Sequence, residues 1–278
     1  AHVVGASSAL TMAAVLVVLN SDLDPTAKLT WMVVMTIVPV FGALFYWYTR
    51  QDVGHRVLKK IMTHRQLHSR NLIDQDPAVM EELTARTPGA AGMAHYVRRS
   101  GCFPVFGGTD VTYYPSGESY FEGLLKELEQ AERFIFMEYF IVEKGVMWNE
   151  ILEILKEKAS EGVDVRVMYD GMGSMTLLPH NYPQTLAESG IKCHVFSRFT
   201  PFLSALQNNR DHRKILAIDG KIAYTGGVNL SDEYININYP QGHWKDMGVM
   251  VKGDAAFSFA AMFLQMWWHC KREKENID

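Results

Sequence analysis

A chain of 278 residues with 48 % hydrophobic content and a formal charge of −4 has room for one globular domain and a short apolar region. The slightly acidic balance leaves no overall basic footprint, which argues against a dedicated nucleic-acid binder. Cys102, Cys193 and Cys270 are widely spaced and form no Cys-x-x-Cys pair, so reduced thiols are expected rather than a disulfide framework or a zinc site.

Residues 3–19 carry no charge and are small or β-branched, just at the lower length limit for a membrane span. A signal-peptide core is the competing reading, yet no basic flank precedes it and Ser21-Asp22-Leu23-Asp24-Pro25 reads as a turn between two spans. Residues 29–48 are again uncharged, long enough to cross a hydrocarbon core that needs about 20 helical residues. Pro39 and Gly42 are tolerated in such helices, and Trp31 at one end with Tyr46, Trp47 and Tyr48 at the other suit the two interfaces. A transmembrane helical hairpin over residues 1–50 is therefore expected. Arg50, Arg56, Lys59, Lys60, Arg65 and Arg70 follow it, which places the globular part on the cytoplasmic side by the positive-inside tendency. Val53, Val57, Leu58, Ile61 and Met62 recur at helical spacing among those cations, so residues 51–100 are expected to hold a basic interfacial helix and, over 74–92, a polar connector.

From residue 101 onward strands and helices alternate, the pattern of an α/β domain extending to 278. Strands are predicted over 134–142, 163–169, 192–196 and 246–252, a hairpin over 212–225 turning at Asp219-Gly220, and helices over 120–131, 148–161 and from Asp254 to about 271. Glu138 lies inside the apolar strand 134–142, where a lone carboxylate is costly without a partner. It is either a site residue or one half of a buried ion pair. Asp170 ends a strand before Gly171-Met172-Gly173, in a position equally suited to a site loop and to a turn.

His212 and Lys214 are two apart in an extended stretch, so their side chains are predicted to leave one face and reach one phosphate together. An imidazole that is partly neutral at neutral pH can attack phosphorus, and a lysine can hold the non-bridging oxygens. Asp219 falls at the turn, where organising the loop is its simplest task, and Gly226 with Gly227 permits close backbone approach. Scattered histidines and the lack of an acidic loop speak against a metal or any other cofactor.

The pattern His212-x-Lys214-x4-Asp219-x6-Gly226-Gly227-x-Asn229 resembles the signature of the phospholipase D superfamily. With Ile-Phe-Met-Glu-Tyr-Phe-Ile at 135–141, Val-Arg-Val-Met-Tyr-Asp-Gly-Met-Gly-Ser at 165–174 and His-Trp-Lys-Asp at 243–246, it is similar to the bacterial cardiolipin synthase branch. The resemblance implies a phospholipase D-like α/β domain, a mixed sheet flanked by helices, behind the N-terminal hairpin. It implies a catalytic set of His212, Lys214 and Asp219, supported by Asn229, Asp246, Glu138, Gly226 and Gly227, with Asp246 orienting the His212 ring. The implied reaction joins two phosphatidylglycerol molecules into cardiolipin and glycerol through a phosphohistidine, without metal, at the bacterial cytoplasmic membrane. Proteins of that type carry two such motifs and one occurs here, so a missing second half or a homodimer is expected to complete the site. The alternatives are a dimeric membrane-bound phosphodiesterase and a catalytically silent membrane fragment.

Overall fold

The computed structural model describes residues 2–50, 73–101, 103–198 and 210–270, which fall into two compact units. The expected basic interfacial helix lies outside the described residues.

The first unit holds three helices: α1 (His2–Leu19), α2 (Pro25–Ile37) and α3 (Pro39–Arg50). Asp24 caps α2 by accepting from Thr26 N (2.9 Å) and Ala27 N (3.0 Å), with Pro25 in the first turn. The single helix predicted over 29–48 is in fact two. Pro39 has no N–H to continue the ladder and pushes Val38 out of the helical region, to φ −130° and ψ 78°. After this break α3 folds back on α2: a Cβ on Gly42 would sit 2.9 Å from Met35 Cα, and Trp31 meets Phe45 and Tyr46 at ring-centroid distances of 5.6 and 5.3 Å. Among the described residues no helix is long and apolar enough to cross a membrane. Leu10, Leu16, Val17, Leu29, Val33, Phe41, Leu44 and Trp47 nevertheless turn outward.

In the second unit the stretch predicted as a connector is helical. Asp76 caps α4 (Pro77–Arg86) through Ala78 N at 2.8 Å, and a second proline opens α5 (Pro88–Gly101). The sheet then assembles from β1 (Thr109–Tyr114), β2 (Phe134–Tyr139), β3 (Asp164–Asp170), β4 (Lys192–Phe196), β5 (Ile215–Ile218), β6 (Ile222–Gly226) and β7 (Gly248–Gly253). Their order is β1-β7-β6-β5-β2-β3-β4. β2, β3 and β4 run parallel to one another and every other pairing is antiparallel, which makes the sheet mixed. β1, an exposed edge strand, has no apolar alternation to announce it.

One face of the sheet packs on α6 (Gly117–Glu129), α7 (Val146–Ser160) and α8 (Tyr182–Ala187), around Tyr120, Leu124, Trp148, Ile151, Val167 and Leu216. The other packs on α9 (Ala256–Cys270), around Phe136, Met168, Ala217, Phe263 and Trp267. This two-sided burial explains why β2 and β5 are almost continuously apolar.

Candidate active site

The central antiparallel pair, β2 with β5, positions the site. His212 and Lys214 occupy the extended segment immediately before β5, and both approach the ring of Phe140 at the end of β2. The His212 and Phe140 centroids are 4.8 Å apart and Lys214 Nζ lies 5.3 Å from the same ring. Lys214 Nζ also donates to the His212 carbonyl at 2.9 Å. His212 is exposed while Lys214 is 5 % exposed, so the imidazole is open to a substrate and the ammonium sits behind it. Burial lowers the Lys214 pKa, opposed by the negative charges of Asp211 and Asp246.

Asp219 stands at the turn between β5 and β6 with φ +54°, followed by Gly220 at +71°. Its carboxylate accepts from Glu132 N (2.9 Å), Arg133 N (2.8 Å) and Phe134 N (2.8 Å). It therefore pins the hairpin to the start of β2, at the opposite end of these strands from His212.

Asn229 is buried, its Oδ1 accepting from Ile141 N (3.1 Å) and its Nδ2 donating to the Tyr234 hydroxyl (2.8 Å). Tyr234 packs edge-on against Trp244 at 5.2 Å, and Trp244 Nε1 donates to Asp246 Oδ2 at 3.2 Å. Asp246 Oδ1 accepts from Met247 N at 2.8 Å. Among the described residues Asp246 makes no hydrogen bond to His212, which differs from the orienting contact the resemblance implies. Its charge acts on Lys214 instead, and its carboxylate fills the space beside Gly227 that a side chain there would need. Gly226 lies flat against β7: an added Cβ would come within 2.5 Å of the Met247 carbonyl oxygen.

Glu138 is fully buried on the α9 side, in an ion pair with Arg213 (Nε to Oε1, 2.7 Å). Burial pushes its carboxyl well above the ordinary range, opposed by Arg213. Asp170, absent from the expected site set, accepts from Met172 N, Gly173 N and Asp211 N and pairs with Arg210 at 3.2 Å. It both shapes the turn after β3 and anchors the segment leading to His212. Phe140, Asp211 and Arg213 were not legible as site residues. Only the apolar context of Glu138 signalled that a cation had to lie near.

The arrangement offers an exposed nucleophilic imidazole, a half-desolvated cation beside it, and a carboxylate within electrostatic reach of that cation. These are groups able to receive and hold a phosphoryl centre. Residues 124–267 match the model of the cardiolipin synthase, PLD-like domain family, and residues 9–51 match that of the phospholipase D-nuclease N-terminal family. An uncharacterized protein of Streptococcus mutans is 46 % identical over 94 % of this chain and 57 % of its own length. A cardiolipin synthase of Geobacillus kaustophilus is 32 % identical over 93 % of this chain and 52 % of its own length. A solved phospholipase D family member, Nuc from Salmonella typhimurium, overlaps 60 % of this chain and 98 % of its own with 20 % identity and a TM-score of 0.44. The chain belongs to the cardiolipin synthase, PLD-like domain family, and it spans about half the length of the curated relatives it matches.

Proposed function

We propose that this chain carries one catalytic half-site of a phosphatidyltransferase that condenses two phosphatidylglycerol molecules to cardiolipin and glycerol. The observation that carries the reading is the convergence of exposed His212 and buried Lys214 on Phe140, in a chain of this family.

In this reading an imidazole nitrogen of His212 attacks the phosphorus of the first phosphatidylglycerol. The P–N bond forms as the P–O bond to glycerol breaks, and glycerol leaves as the alcohol after taking a proton from a general acid. The terminal hydroxyl of the second phosphatidylglycerol then attacks the phosphatidyl-histidine, loses its proton to the conjugate base of that acid, and cardiolipin departs with His212 restored. Lys214 holds the non-bridging oxygens through both steps. Asp219, Asn229 and Glu138 act by fixing the backbone on which the pair is mounted, as their hydrogen bonds support. Gly226 and Gly227 keep side chains out of the approach, and Asp246 holds the local charge in balance with Lys214. The acid and a second His-Lys pair would come from a second motif, supplied by further chain or by another copy.

The lipid substrates would bring the reaction to the bacterial cell membrane, with the globular unit on the cytoplasmic face and the helices of residues 2–50 seated in lipid. The outward apolar side chains of α1 to α3 and the cations from Arg50 onward support that placement. The test is to reconstitute the chain in phosphatidylglycerol vesicles and separate the lipid products, with His212→Ala alongside. Cardiolipin and glycerol from the parent alone support the transferase. Phosphatidate in their place makes the protein a hydrolase, and equal turnover by the His212→Ala variant removes His212 from the chemistry.

A further inference from the structure

Under the His212 and Lys214 segment lies a second cluster that takes no part in the bond changes of the proposed reaction. Glu138 is 0 % and Asp211 4 % exposed, and both carboxyls gather round the guanidinium of Arg213. Arg213 Nε donates to Glu138 Oε1 at 2.7 Å and its Nη2 reaches the same oxygen at 2.5 Å. Asp211 Oδ1 is 3.5 Å from Arg213 Nε and accepts from Arg213 N at 3.3 Å. The opposite oxygens, Glu138 Oε2 and Asp211 Oδ2, are buried and receive no donor among the described residues, and the two carboxyls converge on one nitrogen, Arg213 Nε, at 2.7 and 3.5 Å.

The neighbouring charges on this face are Arg166 and Asp170 of β3, His194 of β4, and Arg210 from the segment before β5, while Lys214, on the Phe140 side, acts on Asp211 from across the strand. Arg166 pairs with Asp164, Asp170 with Arg210, and the His194 ring packs on Trp267 of α9. α9 contributes the Met262 carbonyl, which accepts from Arg213 Nη2 at 3.4 Å. Two ionised carboxylates on one guanidinium would leave an excess negative charge in a nearly water-free place, with Lys214 divided between Asp211 and Asp246 and one oxygen of each carboxyl without a donor. A proton shared by the two carboxyls cancels that excess charge and supplies a hydrogen where the cluster has acceptors without a donor.

We propose that Glu138 and Asp211 hold one proton between them, and that the resulting neutral unit with Arg213 is the positioning device that aims His212 and Lys214. The proton resides on one carboxyl and is donated to the other, and no other bond changes. Arg213 sits between His212 and Lys214 in sequence and turns toward α9. Locking it there directs its two neighbours to the Phe140 side. Only this last consequence rests on the proposed function; the proton itself does not.

The test uses the full chain with Glu138→Gln and Asp211→Asn, each of which replaces the proton-bearing pair by an amide and a carboxylate of nearly the same shape. Infrared spectra at neutral pH should contain a protonated-carboxyl C=O band in the parent that both substitutions remove. Thermal stability supplies a second reading. Because the folded pKa of Glu138 lies above its ordinary 4.5, the folded state holds the extra proton, and stability falls as pH rises from about 4.5 through the folded value. That decline should vanish in either single amide variant. In turnover of phosphatidylglycerol, Glu138→Ala should lose about tenfold or more, as expected for one strong buried interaction, and Glu138→Gln should recover most of that loss because the amide restores its shape and one hydrogen bond. A parent spectrum without the band, or a pH decline unchanged in both amide variants, overturns the proposal. A band that behaves as expected in a chain that never turns over lipid upholds the shared proton and counts against the function instead.

Discussion

Replacing Asp219 by Ala separates a framework role from a chemical one. The substitution leaves three N–H groups without their acceptor: those of Glu132 and Arg133, which face water, and that of Phe134, which is half-buried. Hydrated groups lose about 0.5–1.5 kcal/mol each and the half-buried one about 1–3 kcal/mol. Alanine at φ +54° adds strain of about 1 kcal/mol. The sum, about 5 kcal/mol at the middle of these ranges, is a large part of the stability of a domain. The Asp219→Asn variant would tolerate the left-handed backbone and keep the two bonds made by one oxygen, losing about 1–2 kcal/mol. Urea unfolding followed by tryptophan fluorescence should show the Ala midpoint well below the parent and the Asn midpoint between them. Activity under conditions where each protein is folded should survive in the Asn variant. An Ala variant as stable as the parent but inert would refute this account and make Asp219 a participant in the chemistry.

Three further outcomes are expected. Gly226→Ala presses a methyl into the Met247 carbonyl on β7 and should cost about 1–3 kcal/mol in thermal unfolding, as overpacked backbone contacts do. Lys214 has a lowered pKa, so its charge, and with it the affinity for a phosphate headgroup, should fall at a lower pH than for a free lysine; Lys214→Arg, which stays protonated, should lose that alkaline decline in lipid-binding assays. The same shift works in the opposite sense on stability, because the unfolded chain binds the proton more tightly, so stability from this group rises with pH across the window up to 10.5. Burial pushes the Cys193 thiol up to about 12, so in a variant with Cys102 and Cys270 replaced by Ser it should resist alkylation at pH 8 until denaturant is added.

What could be read from the sequence follows the range of the forces involved. The hairpin about Asp219-Gly220, the central strands and the helix after Asp254 announce themselves through local turn chemistry and apolar runs. β1 does not, because an exposed edge strand keeps no buried face to leave a pattern. Asp76-Pro77 and Thr87-Pro88 look like breakers in a polar stretch and are helix starts, a distinction set by whether proline occupies the first turn or the interior. Pro39 misled the length argument the other way: 20 uncharged residues promised one helix and gave two. At the site, the proximity of His212 to Lys214 follows from their spacing. The clasp of Glu138, Asp211 and Arg213 joins residues 73 to 75 positions apart through side-chain reach alone, and no local periodicity encodes it. The link from Asn229 through Tyr234 and Trp244 to Asp246 escapes for the same reason.

The central claim is that His212 becomes bonded to phosphorus. The direct measurement is to mix the chain with phosphatidylglycerol labelled in its phosphate, quench with base, and map the label by peptide. The account predicts an alkali-stable, acid-labile label on the peptide containing His212 and none in His212→Ala. Cardiolipin formed without label on that peptide, or label retained when His212 is removed, would contradict it.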